Sequence, residues 1–331
     1  MEENTINLKP VRKTFSIIGF ALCIYFAVGF VGQLAFAYLP ELIWGRDNWY
    51  YNTTWGQWIV TSVPMYVLAL PIFALIMRKI PSQKPTENKM SIGKLIIFFL
   101  ISYFISYVCS IIGTVMSFVF SGGTAENQIA ELAMDTNPLK VLVMVILAPI
   151  VEEFIFRKLM IDRTAQYGEK IAIFLSAFAF GLLHQNLFQF FYAFAVGLVF
   201  GYIYVRTGKI HYTIILHAII NFMGSVIAPF VLKLIDIEKL QNFNPDVSTE
   251  ELMAFISEFL PGLIVYFLYS TVLMGIIVAG LVFFIIQLRK LKWEHSELEL
   301  QKGTVFKTVY LNAGMICYVL ICTAFTVWAL F

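Results

Sequence analysis

Nine stretches of this chain are almost continuously apolar: Phe15–Leu39, Trp55–Met77, Ile92–Phe120, Leu139–Met160, Ile171–His184, Leu187–Val205, Tyr212–Leu232, Pro261–Gln287 and Val309–Phe331. A helix needs about 20 such residues to cross a bilayer, so each is predicted as a transmembrane helix, the fifth and sixth short and close together. Too little remains between them for a sizeable soluble domain. The expected fold is all-α, a polytopic membrane protein of about nine transmembrane helices. The first stretch has no small-residue cleavage site after it and reads as an anchor rather than a removable signal. The chain divides into residues 1–138 with helices one to three, 139–232 with helices four to seven, an acidic connection at 233–260, and 261–331 with helices eight and nine. In that connection Ser248 and Glu251 have capping-box spacing. Leu252, Phe255, Ile256 and Phe259 follow at helical spacing, which predicts a short amphipathic helix on the membrane surface.

Composition agrees: 60% of residues are hydrophobic, 13% are charged and the mean hydropathy is +0.80, where soluble domains are about a quarter charged. A net charge of +2 argues against nucleic acid as a partner. Its distribution carries more information. Arg78, Lys79, Lys84, Lys89 and Lys94 precede helix three or open it. Arg163 and Lys170 lie between helices four and five, Arg206 and Lys209 between six and seven, and Arg289, Lys290, Lys292, Lys302 and Lys307 between eight and nine. The alternate connections are acidic or neutral. The positive-inside rule then places the N-terminus in the cytoplasm and, with nine spans, the C-terminus outside; the cell membrane is the expected location. Cys23, Cys109, Cys317 and Cys322 lie in apolar segments without paired spacing and read as packing.

Against this background, Glu152 and Glu153 stand out: adjacent carboxylates inside the fourth apolar stretch, three residues after Pro149. An ionised Glu at that depth costs a few kcal/mol or more. Arg157, four residues beyond Glu153, shares its helical face and can pair with it, whereas Glu152 points about 100° away. One carboxylate is thus neutralised and the other is left to face elsewhere, a common basis for separate acid and base roles. The bland alternative is an ion pair that only fixes helix packing. Of four histidines, His211 and His295 fall in polar positions. His184 ends the fifth stretch, one turn after Phe180, and His217 lies in the seventh, one turn before Asn221. Singly, each reads equally well as a polar contact between helices. Together with the Glu pair they suggest a shared site, because buried polar groups in lipid must find one another.

Three segments carry a resemblance: Glu152-Glu153-Phe154-Ile155-Phe156-Arg157, Phe180-Gly181-Leu182-Leu183-His184 and His217-Ala218-Ile219-Ile220-Asn221. They resemble the signature motifs of the CAAX-protease and bacteriocin-processing (CPBP, or Abi) intramembrane proteases, and residues 197–208 are similar to the family's helix between the second and third motifs. The likeness covers roughly a quarter of the chain. Lys158 stands where many members have Gly. The resemblance implies a four-helix catalytic core in helices four to seven and peptide-bond hydrolysis within the bilayer. Glu152 would activate water shared with His184, His217 and Asn221 would stabilise the oxyanion, and Glu153 with Arg157 and Phe180 would support them. The family is often described as metalloproteases, which would make Glu152, His184 and His217 a three-ligand zinc set. No His–Glu–x–x–His helix is present and some relatives look metal-free, so no cofactor is assigned and zinc remains open. Expected partners are membrane lipid and a membrane-associated or lipid-modified peptide. A silent scaffold or immunity protein and a proton-coupled transporter are the competing readings. Matching the depths of Glu152 and His184 requires helix four to continue to about Tyr167, with Arg157, Lys158, Asp162 and Arg163 in or beside a wet cavity that opens to the internal side.

Overall fold

The computed structural model describes residues 7–235 and 248–331. Their secondary structure is helical throughout: α1 Leu8–Trp44, α2 Trp49–Asn52, α3 Thr54–Met77, α4 Ile92–Ser121, α5 Gln128–Met134, α6 at 141–167, α7 Glu169–Leu183, α8 Leu187–Thr207, α9 Ile210–Lys233, α10 Thr249–Leu288, α11 Lys302–Tyr310 and α12 Ala313–Trp328. All nine apolar stretches are helical, but not all qualify as spans by themselves. Six helices are long and apolar enough (α1, α3, α4, α8, α9 and α10), and α11 with α12, bent by 65°, makes a seventh. The count of nine is therefore corrected to six or seven. α6 carries Glu152, Glu153, Arg157 and Lys158, and α7 has only 15 residues. Both are sheltered by neighbouring helices, so neither needs an uninterrupted apolar surface.

The amphipathic segment expected before Pro261 is not a separate helix. Ser248 and Glu251 form the capping box, and the helix they open runs unbroken to Leu288 through Pro261. The rest of the acidic connection, 236–247, lies outside the described residues. α10 packs on α4 and leaves side chains such as Phe267 and Val272 exposed, as lipid-facing surfaces do.

Two apolar clusters meet at the centre. One joins α1, α3, α6, α7 and α12 through Phe15, Phe73, Phe156, Phe180 and Tyr318. The other joins α4, α8 and α9 through Phe98, Phe200 and Leu216. The C-terminal helix belongs to this core: Tyr318 is fully buried and its hydroxyl donates to the Ala179 carbonyl of α7 at 2.8 Å. α1 and α12 cross where glycine is obligatory. A Cβ on Gly314 would stand 1.9 Å from the Ser16 carbonyl oxygen, and one on Gly19 2.2 Å from the Gly314 carbonyl carbon.

α6 has an unusual pitch. Residues 141–147 and 154–161 wind as π turns on either side of an α-helical segment, Ala148–Glu153. The first is explained by Pro149, which has no N–H to give and favours a widened turn before it. The same arrangement precedes Pro71 and Pro229. α6 continues to Tyr167 as anticipated and stops at Gly168, whose φ of 125° suits only glycine. Its C-terminal end is tied down. Arg163 donates to the carbonyls of Met77 and Leu159, and Asp162 accepts from Lys158 and from the Tyr204 hydroxyl, both at 2.6 Å.

Candidate active site

Glu153 and Arg157 lie one turn apart on α6, and neither side chain is exposed. Arg157 Nε stands 3.0 Å from Glu153 Oε2 and its Nη2 donates to Oε1 at 3.2 Å. Only the Nη2–Oε1 contact is a hydrogen bond; Nε and Oε2 lie at ion-pair distance without hydrogen-bond geometry, so the second contact is electrostatic. The remaining Nη1 donates to Ser176 Oγ of α7 at 3.1 Å, and Ser176 passes its own proton to the Phe156 carbonyl at 2.7 Å. The guanidinium also lies over Phe180 and Phe200, 5.2 and 5.8 Å from the ring centroids.

His217 of α9 joins the two carboxylates. Its Nδ1 is 3.2 Å from Glu153 Oε1 and its Nε2 is 3.6 Å from Glu152 Oε2. Glu153 is fixed as an acceptor by Arg157, so Nδ1 is the protonated nitrogen. The longer Nε2 distance leaves room for an exchangeable partner. Glu152 keeps 18% of its side chain exposed whereas Glu153 keeps none.

His184 sits at the sharp turn between α7 and α8. Gln185 adopts a positive φ of 53°, and Asn186 caps α8 by accepting from the Gln189 N–H at 2.9 Å. His184 Nδ1 is 2.9 Å from the Phe180 carbonyl. A carbonyl can only accept, so Nδ1 carries the hydrogen and Nε2 keeps its lone pair. Phe180 meets both imidazoles edge-on, its centroid 4.9 Å from that of His184 and 5.8 Å from that of His217. It is the spacer between the two motifs.

Asn221 is turned toward α6, where its amide donates to the Met144 carbonyl at 2.8 Å. In the π turn, Ala148 N–H bonds Val143, so the next donor in register would be residue 149, a proline. Asn221 supplies the hydrogen bond that Pro149 cannot, and its second amide hydrogen stays available.

The structure thus joins Glu152, Glu153, Arg157, Phe180 and His217 by direct contact, brings His184 to them through Phe180, and places Asn221 against the α6 backbone. Ser176 and Phe200 also belong to the site and were not singled out from sequence. Ser176 stands two helical turns before His184 as the only hydroxyl in its apolar stretch, a signal that could have marked it. Phe200 had none beyond its place in the motif-like helix. Glu152, His184 and His217 do not fit a zinc centre: among the described residues no three His, Cys, Asp or Glu side chains are grouped to hold a metal ion.

Residues 135–223 match the family model for the type II CAAX prenyl endopeptidase, Rce1-like. The chain is also 31% identical over 202 residues to "Putative membrane peptidase YdiL" of Bacillus subtilis (strain 168), a span covering 59% of this chain and 78% of that protein. No solved structure matches.

Proposed function

The chain belongs to the Rce1-like type II CAAX prenyl endopeptidase family, a family of membrane peptidases, and from that premise we propose that it hydrolyses a peptide bond in a lipid-modified or membrane-associated peptide using water activated at Glu152. The supporting observation is the division of labour between the two carboxylates. Glu153 is sealed against Arg157 and His217, while Glu152 is partly open and has no firm partner. A sealed carboxylate holds a site in shape. An open one can take a proton from water.

In this reading, water lies between Glu152 and the lone pair of His184 Nε2. Its oxygen adds to the scissile carbonyl carbon as its proton passes to Glu152. The oxyanion that forms takes hydrogen bonds from His217 Nε2 and from the second amide hydrogen of Asn221. His217 donates there in its doubly protonated form, with Glu153 supplying the counter-charge. Collapse of the tetrahedral adduct breaks the C–N bond, and Glu152 returns its proton to the leaving amine. The N-terminus faces the cytoplasm, in the cell membrane, where basic connections favour that side.

The test is hydrolysis of a fluorogenic peptide ending in a farnesylated CAAX sequence by detergent-purified protein. Glu152→Gln removes a general base and lowers kcat by about 10²–10⁴, with the fold intact by thermal unfolding. Undiminished turnover by that variant overturns the assignment of Glu152.

A further inference from the structure

Helices α1 and α3 lie outside the matched segment, yet both place a tyrosine in the apolar cluster that holds Val151 and Ile155, which flank the two carboxylates on α6. Tyr25 of α1 and Tyr66 of α3 are within electrostatic reach of Glu152, as is Tyr192 of α8. The placement follows from packing. Tyr25 is 1% exposed and meets Phe73 edge-on, with ring centroids 5.8 Å apart. Tyr25, Tyr66 and Tyr192 all pack in the apolar cluster that holds Val151, Ile155 and Phe180, and the Tyr192 ring centroid is 6.4 Å from that of His184.

Their hydroxyls are unusual in what they lack. Tyr204 and Tyr318, buried elsewhere, donate to Asp162 and to the Ala179 carbonyl, as buried hydroxyls ordinarily do. Among the described residues, the hydroxyls of Tyr25 and Tyr66 make no hydrogen bond. Tyr192 accepts from Gln189 Nε2 at 2.9 Å, which leaves its own proton undirected. Three phenolic protons without acceptors among the described residues therefore lie in the packing beside the carboxylate-bearing turn of α6 and His184. A peptide drawn to this depth brings the complementary deficit: its backbone carbonyls have left water and need donors.

We propose that Tyr25, Tyr66 and Tyr192 bind the backbone of an extended substrate peptide on either side of the scissile bond, so that the N-terminal helices form one wall of the active site. This rests on the hydrolase reading above and deepens it. It assigns to α1 and α3 ground-state peptide binding, separate from the water activation at Glu152.

The experiment uses Tyr25→Phe, Tyr66→Phe and their combination in the full-length protein, with the farnesylated CAAX peptide as probe. Each hydroxyl removed raises KM about 3- to 10-fold, the range of one net hydrogen bond, and changes kcat less than threefold. The same rise appears in the Kd of the peptide for the Glu152→Gln protein, where no turnover occurs. Melting temperature is unchanged or higher, because a hydroxyl unpaired in the fold gives it no support. A structural tyrosine would do the reverse, lowering the melting temperature and leaving KM alone. Wild-type turnover with unaltered KM and Kd in the Phe variants overturns the tyrosine wall only. A wild-type protein that neither binds nor cleaves the peptide overturns the hydrolase reading, and the wall with it.

Discussion

Replacing Arg157 by Met tests the central ion pair while preserving most of its volume. The guanidinium approaches Glu153 at 3.0 and 3.2 Å, where neither side chain is exposed. Removing one partner of a buried pair costs about 3–5 kcal/mol, mostly because the other charge is left without compensation. His217 Nδ1 remains 3.2 Å from Glu153, which puts the expected loss near the lower bound, about 3 kcal/mol. At about 2 °C per kcal/mol for a chain of this size, the melting temperature falls by about 6 °C. Glu153→Gln alone strands the guanidinium and is destabilising by a similar amount. Combining the two removes both charges, and a neutral, well-packed replacement recovers most of the loss. A double-mutant cycle, followed by intrinsic fluorescence during thermal unfolding in detergent, should therefore give a coupling of about 2 kcal/mol or more. An Arg157→Met protein as stable as wild type, or a double variant weaker than either single one, refutes the idea that the pair exists to neutralise Glu153.

Asn221→Leu leaves the Met144 carbonyl unpaired, which destabilises by about 1–3 kcal/mol. Pro149→Ala restores a backbone donor and should recover part of that in the double variant; no recovery means that Asn221 does not complete the α6 backbone. Hydrolysis of the farnesylated peptide should survive exhaustive chelation with metal content checked by mass spectrometry, because the described side chains are not grouped around a metal; loss of activity that zinc restores would reverse that reading. At the C-terminus of α5, burial pushes the Asp135 carboxyl up, but hydrogen bonds from the Asn137 N–H at 3.0 Å and the Trp58 indole at 2.6 Å outweigh it and hold the group below its ordinary value. A lowered folded value means that this stabilisation is complete above the unfolded value of about 3.9 and is lost as pH falls through the folded one. Melting curves below about pH 4 should steepen for wild type and flatten for Asp135→Asn, with a parallel change in Trp58 emission; identical acid limbs would refute the contribution.

Hydropathy placed all nine helices because each is a local property of the chain: an apolar run in lipid must satisfy its own backbone, and only a helix does so within one segment. The same local logic located the Ser248–Glu251 cap and the pairing of Glu153 with Arg157 at one helical turn, while the continuation of α6 to the glycine at 168 came from matching the depths of Glu152 and His184. It overcounted the spans because it treated α6 and α7 as lipid-facing. Whether a charged or short helix is tolerated depends on what covers it, and that is a property of the whole bundle. The merging of the segment before Pro261 into α10 was missed for a related reason. A proline inside a helix leaves a gap that the surroundings can accommodate, and sequence does not show the surroundings.

The residues of the chemistry were legible as types, since Glu, His, Arg and Asn in apolar helices are expensive enough to be conspicuous. Their pairing was not. That His217 turns one nitrogen to Glu153 and the other to Glu152, that Asn221 fills the vacancy left by Pro149, and that Ser176 takes the last guanidinium nitrogen are contacts between helices. Tyr25 and Tyr66 are the plainest case, because a tyrosine in an apolar stretch looks like packing until the tertiary structure shows no partner for its hydroxyl among the described residues. Sequence alone determined that this is a helical membrane protein with acid and imidazole at bilayer depth. Which groups meet was decided only by helix packing, since side-chain contact across helices depends on distance and angle in space and leaves no periodic mark on the chain.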